Sequence, residues 1–399
     1  MRSALMLKLA MTAALLAAAP AGAVEVLARP VEGDDVRGTL SGLDGKALLV
    51  APEGTQPRKL DLADLMAIEF IGAAAPASEG CAQLFTASGD VIPAKLEADA
   101  GGKITASSPW AGKFQVSSKA LAGVLLPAGL KDAKARRELA KPGRRKDKIF
   151  LLNDEMEGTF EGFAGDSLKF KSDVLGTAEY KLAEVAAVAF AELGESPAPA
   201  GIRCTADLAG GGSVSGLPVK LEDGAILWRT DDGIDLRLVA STVKTIRVRS
   251  DRLVYLSELA PKAVEEKPFV EGLPFVWKFR NDVDVLGRPL VLGGVAFPRG
   301  LGTAASTKLT YNLEGSAFRH FRASVGVCDS AAPGGKTAFR VLVDGKEAFA
   351  AKPLLSRGDK PVKVDVKLEK AKELTLIVDF GDGSDLGDIG GWGDARLVK

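Results

Sequence analysis

Carboxylates are the residues of this 399-residue chain whose spacing first suggests chemistry. Near the C-terminus four aspartates fall within ten residues, interleaved with glycine: Asp379, Asp382, Asp385 and Asp388. Calcium prefers oxygen-rich, flexible loops of this kind, so Asp379, Asp382 and Asp385 predict a structural calcium site. Tight Asp-Gly turns would produce the same pattern without a metal, because both residues suit turn backbones. Both interpretations stay open at this stage.

Histidine occurs only once, as His320. A single imidazole excludes His-rich metal sites and leaves at most one Ser-His-Asp or Cys-His arrangement. In its strand, Phe321 and Ala323 share the inward register while His320 shares the outward one with Arg322, so we expect a solvated residue rather than a catalyst. Paired acids for glycosidic cleavage cannot be singled out among 52 acidic residues. We therefore predict that the chain is not an enzyme.

The first 23 residues have the pattern of an export signal. Arg2 and Lys8 accompany an apolar run that ends in Ala21-Gly22-Ala23, a small-residue cleavage pattern. That run is shorter than the roughly 20 residues of a membrane span, and no other segment reaches this length. We predict an exported protein, periplasmic or extracellular, with no membrane span.

Overall composition limits the partners further. The 52 basic and 52 acidic side chains cancel, so the chain lacks the basic field that nucleic-acid binding needs. The mature chain has three cysteines, Cys81, Cys204 and Cys328, too few for a disulfide scaffold. Cys81 and Cys204 occupy equivalent positions and are expected to be buried apolar residues, with a disulfide between them as the alternative.

An internal duplication organises the first 250 residues. Residues 36–70 align without a gap on residues 156–190 with nine identities, several of them turn glycines. Residues 81–127 and 204–248 form a second related pair, so the order is A, B, A′, B′. Short alternating segments and regular turns predict small β-barrel-like repeats, and we expect each A to pack on its B. These repeats weakly resemble SH3-like or Sm-like barrels.

The predicted organisation has five parts. They are a signal peptide in residues 1–23, repeats A and B in 24–127, a charged linker in 128–148, repeats A′ and B′ in 149–250, and a β-sandwich in 251–399. The linker is expected to hold about two helical turns before Pro142. Its basic run, residues 144–146, is expected to be solvated, with a polyanion site as the alternative.

The last third alternates cleanly between apolar and polar residues, as in residues 362–368, and contains an Asp344-Gly345 hairpin turn. This pattern predicts a β-sandwich. Over about 145 residues it resembles the NPCBM family of carbohydrate-binding modules, on an ordered series of motifs. They are VYLSEL from Val254, GLGT from Gly300, YNLEG from Tyr311, FRASVG from Phe321, VDG from Val343, VDFGD from Val378 and WGDARL from Trp392.

The resemblance implies a jelly-roll sandwich that binds glycans of the galactose type, often with a structural calcium. The chain departs from the family pattern at Ala304 and Ile389, where family members usually have histidine, and at Cys328, which replaces an aspartate. If these positions bind sugar or metal in relatives, this chain has lost part of that capacity.

Sugar recognition needs an aromatic face and a few fixed polar groups. The candidates in the last third are Trp392, Asp388, Asp329, Trp277, Asn281, Arg299 and Arg396. Trp392 is either a core residue or a ligand platform, and Asp388 and Asp329 serve either loop turns or ligand contact.

Two functional hypotheses follow. The first is an exported, non-catalytic protein that binds a glycan or a cell-envelope polysaccharide through its C-terminal sandwich. The second is a structural or protein-interaction protein of the envelope, which would bind a protein partner through the β repeats and whose sandwich has lost sugar binding.

Overall fold

The computed structural model describes residues 24–100, 102–139, 141, 144–191, 193, 201–270, 272, 276–381 and 387–399. The predicted signal peptide, Asp382 and Asp385 lie outside these residues. The chain divides into two compact units, one ending at Val248 and the other beginning at Arg249. Within the described residues there is one α-helix, α1 (Ala133–Leu139). The all-β prediction is confirmed: duplicated barrel-like repeats are followed by a β-sandwich.

Each repeat of the first unit has five strands. Repeat A contains β1 (Glu25–Pro30), β2 (Val36–Leu43), β3 (Ala47–Ala51), β4 (Arg58–Asp61) and β5 (Leu65–Phe70). Repeat B contains β6 (Ala82–Thr86), β7 (Val91–Ala100), β8 (Lys103–Ser108), β9 (Gly112–Ser117) and β10 (Leu121–Leu125). Repeat A′ contains β11 (Asp147–Leu151), β12 (Glu155–Ala164), β13 (Ser167–Ser172), β14 (Gly176–Lys181) and β15 (Val185–Ala189). Repeat B′ contains β16 (Arg203–Leu208), β17 (Ser213–Glu222), β18 (Ala225–Thr230), β19 (Asp235–Val239) and β20 (Val243–Arg249).

The same closure recurs in all four repeats. The first strand pairs with both the second and the fifth, as β1 does with β2 and β5. A short 3-10 turn joins the fourth strand to the fifth: Leu62–Asp64, Ser118–Ala120, Leu182–Glu184 and Ala240–Thr242. Because inward residues alternate along each strand, every repeat contributes to one continuous hydrophobic core.

The repeats do not pair as the sequence predicts. The last strand of A, β5, pairs with the last strand of B′, β20, through Ile68 and Ile246. The last strand of B, β10, pairs in the same way with β15 of A′. The expectation that each A packs on its own B is therefore wrong: the spatial order is A, B′, B, A′. The last strands of the repeats present similar edges. The last strand of an A repeat can therefore pair with that of the B repeat from the other half of the duplication.

The charged linker is more ordered than its composition suggests. Helix α1 buries Ala135 and Leu139 where β10 and β15 meet. Arg144 is half-buried, and its guanidinium donates to the carbonyls of Ala122 and Phe190 at 3.5 Å. The prediction of a fully solvated basic run is wrong at Arg144, because its guanidinium is partly buried and donates to two backbone carbonyls.

The three cysteines are free and buried. Burial raises the pKa of both the Cys204 and the Cys328 thiols to about 12. Cys81 and Cys204 are apolar packing residues, as predicted, and form no disulfide. None of the described helices is both long and apolar enough to span a membrane.

The second unit contains two main sheets. Its strands are β21 (Leu253–Tyr255), β22 (Ala263–Glu266), β23 (Arg280–Asn281), β24 (Leu290–Leu292), β25 (Val295–Phe297), β26 (Gly300–Ala304), β27 (Thr307–Asn312), β28 (His320–Val327), β29 (Thr337–Val343), β30 (Lys346–Ala350), β31 (Val362–Lys367), β32 (Glu373–Phe380) and β33 (Ile389–Val398). One sheet has the order β23-β26-β33-β28-β31, with β21 also pairing with β33. The other has the order β22-β27-β32-β29-β30.

The inward faces of both sheets contribute to one core, which contains Phe321 and Leu376. The predicted hairpin between β29 and β30 is confirmed: Asp344 and Gly345 both have positive φ, as a two-residue turn with right-handed twist requires.

A small hairpin, β24–β25, covers part of the outer face of the first sheet. A Cβ at Gly393 would lie 2.4 Å from the ring of Phe297. Glycine is therefore required on β33 for the hairpin to approach. That part of the sheet is closed to a ligand.

Candidate functional site

Strand β26 separates the predicted site residues into two groups. Arg299 and Asn281 lie at its Gly300 end, because Asn281 pairs with Leu301. Asp388 lies at the Ala304 end, where its carbonyl accepts the N–H of Ala305 at 2.9 Å. Five strand residues place these ends on the order of 13 Å apart, so the two groups cannot contact one small sugar ring together.

Trp392 is a core residue. Its side chain is fully buried, with the ring of Phe339 at 5.6 Å and that of Phe321 at 6.2 Å between centroids. The alternative of a ligand platform is wrong, because a sugar needs an accessible ring face. Trp392 faces inward from β33, opposite the face that Gly393 leaves open for the hairpin.

Asp388 is buried as well. The hydroxyl of Thr337 donates to its Oδ1 at 3.3 Å. Ligand contact through this carboxylate is wrong in the described structure, since the group lies inside the domain. It joins the start of β33 to the start of β29 instead.

Asp329 holds the covering hairpin in place. Its two carboxylate oxygens accept the backbone N–H groups of Gly293 and Gly294, each at 2.9 Å. Both glycines have positive φ, which orients their N–H groups toward the same carboxylate. Of the two predicted roles for Asp329, the structure shows the turn role.

Arg299 lies at the Gly300 end of β26 and is held from two sides. Its Nη1 donates to Oδ2 of Asp282 at 2.8 Å, and its Nη2 lies 3.8 Å from Oε1 of Glu258. Asp282 is fixed in turn, because its Oδ1 accepts the N–H of Gly300 at 3.0 Å. The guanidinium is oriented but still partly exposed. Asn281, the residue before Asp282, is exposed on β23.

Trp277 is the exposed tryptophan of the chain: 40% of its surface is accessible, while the other three are buried. The next two residues are clamped by Glu266. The backbone N–H of Phe279 donates to Oε1 of Glu266 at 2.6 Å, and Nζ of Lys278 lies 3.0 Å from Oε2. Trp277 and Asn281 are four positions apart in the sequence, so their Cα atoms lie within about 14 Å of each other. The indole is thus attached to an anchored segment that leads directly to Asn281.

Tyr255 and Arg396 extend this surface across the sheet. They are cross-strand neighbours on β21 and β33, and the guanidinium of Arg299 lies 6.0 Å from the Tyr255 ring. Burial, assisted by the charge of Asp394, raises the pKa of Tyr255 to about 12, so the phenol keeps its proton. Burial also lowers the pKa of the Arg396 guanidinium. Nη1 of Arg396 donates to the carbonyl of Asp394 at 3.1 Å.

His320 faces outward, as its register predicts. Its Nδ1 lies 2.7 Å from Oδ1 of Asp365, and Nε of Arg322 donates to Oδ2 of the same carboxylate at 3.0 Å. Burial raises the pKa of Asp365, but the hydrogen bond with His320 and the charge of Arg322 lower it by more. The net shift of the pKa is therefore downward.

The calcium prediction rests partly outside the described residues. Asp382 and Asp385 are not among them, and Asp379 accepts the N–H of Phe380 at 2.9 Å and lies 3.4 Å from Nη2 of Arg340. Among the residues that the structure describes, no group of three or more His, Cys, Asp or Glu residues is arranged to hold a metal ion. A calcium site at these aspartates stays a prediction.

The Gly300 end of β26 therefore combines an exposed amide with an oriented guanidinium, and the exposed indole of Trp277 lies earlier on the segment that leads into β23. Such a set can stack on the C–H face of a sugar and donate to its hydroxyl groups. Sequence reasoning selected Trp277, Asn281 and Arg299 but missed Glu266, Asp282 and Tyr255, which position them. Asp282 is distinguished by its positive φ, a property of the folded backbone that cannot be read from the sequence.

Comparisons with solved structures find carbohydrate-binding modules. A CBM51 module from Clostridium perfringens GH95, solved with methyl-galactose, is 29% identical and covers 37% of this chain and 99% of its own, with a TM-score of 0.33. The CBM51-2 and INT domains of Clostridium perfringens ZmpB, solved with GlcNAc, are 22% identical and cover 45% of this chain and 39% of their own, also with a TM-score of 0.33.

Comparison with curated proteins finds a relative from Renibacterium salmoninarum named "Putative endo-alpha-N-acetylgalactosaminidase". It is 31% identical over 112 residues, which are 28% of this chain and 7% of the relative. The chain thus matches only a small part of that protein. A family model gives the clearest assignment: residues 252–398 match the NPCBM/NEW2 domain.

Proposed function

We propose that this chain is an exported, non-catalytic protein that binds a glycan through the domain of residues 252–398. The observation that carries the proposal is the match of these residues to the NPCBM/NEW2 domain. The export pattern of the first 23 residues supports a periplasmic or extracellular location, where envelope polysaccharides are accessible.

The proposed binding surface runs from Trp277 along the segment that leads into β23, through Asn281, to Arg299 beside the Gly300 end of β26. Trp277 supplies an apolar ring, while Asn281 and Arg299 supply polar groups that still reach solvent. The pairing of Arg299 with Asp282 fixes the guanidinium before a ligand arrives, which lowers the entropy cost of binding. A galactose-type sugar, including N-acetylgalactosamine, is the proposed ligand class.

A glycan array with the full chain tests this proposal. We expect retention of galactose-type glycans and weaker retention for Asn281→Ala, because its exposed amide can be removed without disturbing the core. Gln115→Ala, an exposed amide on β9 of the first unit, is the matched control and should bind as the unchanged chain does. Absence of binding to every glycan by folded protein would contradict the proposal. The bound glycan should be recovered uncleaved.

The second candidate is a structural or protein-interaction role. It is favoured by the engagement of Asp388 and Asp329 within the fold, together with Ala304 and Ile389 at positions where the resembling family has histidine. Recovery of one envelope protein through the repeats, with no glycan binding and no competition by sugars, would support this role instead.

A further inference from the structure

Repeats B and B′ are in contact through the pairing of β7 with β17 at Val91 and Ser213, and through two short elements that meet reciprocally. One is the tip between the third and fourth strands, residues 109–111 in B and 231–234 in B′. The other is the first turn, between the first and second strands, residues 87–90 in B and 209–212 in B′. The docking is reciprocal: each tip contacts the first turn of the other repeat.

Hydrogen bonds show both halves of this contact. Nε1 of Trp110, in the tip of B, donates to the carbonyl of Ala209 in the first turn of B′ at 2.7 Å. Oγ of Ser88, in the first turn of B, donates to Oδ2 of Asp232 in the tip of B′ at 2.5 Å. A tip and a first turn of one repeat must therefore lie on a common face. Trp110 and Ile234 are buried in the process.

Repeat A′ carries the same two elements without such a cover. Its tip, residues 173–175, exposes 89% of Val174 and 70% of Leu175. Its first turn, residues 152–154, exposes 55% of Leu152. In repeat A the corresponding elements, residues 52–57 and 31–35, are rich in polar residues. A′ is thus the end of the series that exposes aliphatic side chains on both elements, Val174 and Leu175 on the tip and Leu152 on the turn beside the polar Asn153 and Asp154. Exposed aliphatic clusters commonly mark interaction sites.

We propose that the tip of A′ docks on the first turn of A′ in a second copy of this chain, and that the contact is reciprocal about a twofold axis. The B–B′ contact supplies the geometry, because it joins the same elements of the same fold. A twofold contact requires a self-complementary surface, and Leu152 of one copy opposite Val174 and Leu175 of the other meets that requirement in both halves of the contact. The ion pair of Asp173 with Lys146 neutralises the charge of the tip, so the tip does not repel the exposed Asp154 in the first turn of the second copy.

The size of the patch sets the strength of the dimer. A few aliphatic side chains form a small contact, so the dimer should be weak and concentration-dependent. This inference concerns the first unit and is independent of glycan binding by the second.

Sedimentation velocity of the full chain across a concentration series tests the proposal. We expect a monomer–dimer equilibrium that Val174→Asp combined with Leu175→Asp weakens by about tenfold or more, since charges would have to be buried in the contact. Val219→Asp is the matched control, because Val219 is an aliphatic residue of B′ with 54% of its surface exposed. A chain that stays monomeric throughout, or a double variant that dimerises like the unchanged chain, would overturn the proposal.

Cross-linking tests the tip-to-turn geometry. A Leu152→Cys chain mixed with a Leu175→Cys chain should be joined by a short bis-maleimide faster than either variant alone, and the native cysteines are buried and do not interfere. Equal rates in the mixture and in the separate variants would rule out tip-to-turn docking. Unchanged thermal unfolding of each variant shows that the repeats remain folded.

Discussion

The two ends of β26 hold similar residue types but use them differently. At the Ala304 end, Asp388 is buried and Asp329 binds two backbone N–H groups. At the Gly300 end, Asn281 is exposed and Arg299 is oriented yet accessible. The tryptophans divide by burial and not by the end of the strand: Trp392 is buried although it pairs with Leu301 near the Gly300 end, and Trp277 is exposed.

This contrast between residues of the same types shows that residue type alone does not define a binding surface. A carboxylate or an indole can bind a ligand only when backbone donors and core neighbours have not already engaged it. The buried or backbone-bound residues are therefore expected to control stability, and the exposed residues to control binding. Substitutions at the engaged and at the exposed residues test this division.

Trp392→Ala should have the largest effect on stability. Removing a fully buried indole leaves a cavity, with an expected cost of about 3–5 kcal/mol in the free energy of unfolding of the sandwich. Trp277→Ala is the matched control and should cost less than about 1 kcal/mol. Urea unfolding measures both changes, and similar costs for the two variants would contradict the division. Trp392→Phe provides a milder change if the alanine variant does not fold.

Asp329→Ala should have the next largest effect. It leaves the N–H groups of Gly293 and Gly294 without their acceptor, at an expected cost of about 1–3 kcal/mol. Hydrogen exchange of these two amides should accelerate, because the β24–β25 hairpin loses its attachment. Asp329→Asn keeps one carbonyl acceptor and should show an intermediate rate. Unchanged exchange in the alanine variant would show that the hairpin is held by other contacts.

The lowered pKa of Asp365 should make the stability of the second unit weakly dependent on pH. Its pKa is lower in the folded than in the unfolded chain, so its carboxylate stabilises the fold above the unfolded pKa, and that contribution is lost as the pH falls through the folded value. The stability difference between the unchanged chain and Asp365→Asn should shrink as the pH falls below about 4. Melting curves from pH 6 to pH 3 measure it. A difference that grows with acid would contradict the sign.

Calcium removal should have the smallest effect. Arg340 and the backbone of Phe380 already engage the carboxylate of Asp379, so a chelator should shift the melting temperature by about one degree or less. A decrease of several degrees that added calcium reverses would instead establish the calcium site predicted from the aspartate spacing.

Local features of the repeats and the sandwich were predictable, because they depend on local patterns. Turn glycines and alternating apolar residues fix strands such as β31, and the Asp344-Gly345 pair fixes its hairpin. The pairing of β5 with β20 was not predictable, since equivalent edges occur in both copies and the sequence does not say which copy is the partner. The outer-face glycine Gly393 likewise gives no sign that Phe297 covers it.

The candidate site was only partly predictable for a related reason. Trp277, Asn281 and Arg299 were selected by residue type, and so were Asp329, Asp388 and Trp392. Only the fold distinguishes the two groups, because burial and backbone hydrogen bonds depend on contacts between residues far apart in the sequence. The N–H groups that engage Asp329, for example, come from residues 36 and 35 positions away.

Titration calorimetry with a glycan retained on the array separates binding residues from stabilising ones. The unchanged full chain, Trp277→Ala and Asp329→Ala should be compared at a temperature where all three are folded. We expect Trp277→Ala to weaken binding by about tenfold or more and Asp329→Ala to bind with unchanged affinity despite its lower stability. Unchanged affinity in Trp277→Ala, together with lost binding in Asp329→Ala, would place the ligand beside Asp329 and rule out a binding surface at Trp277.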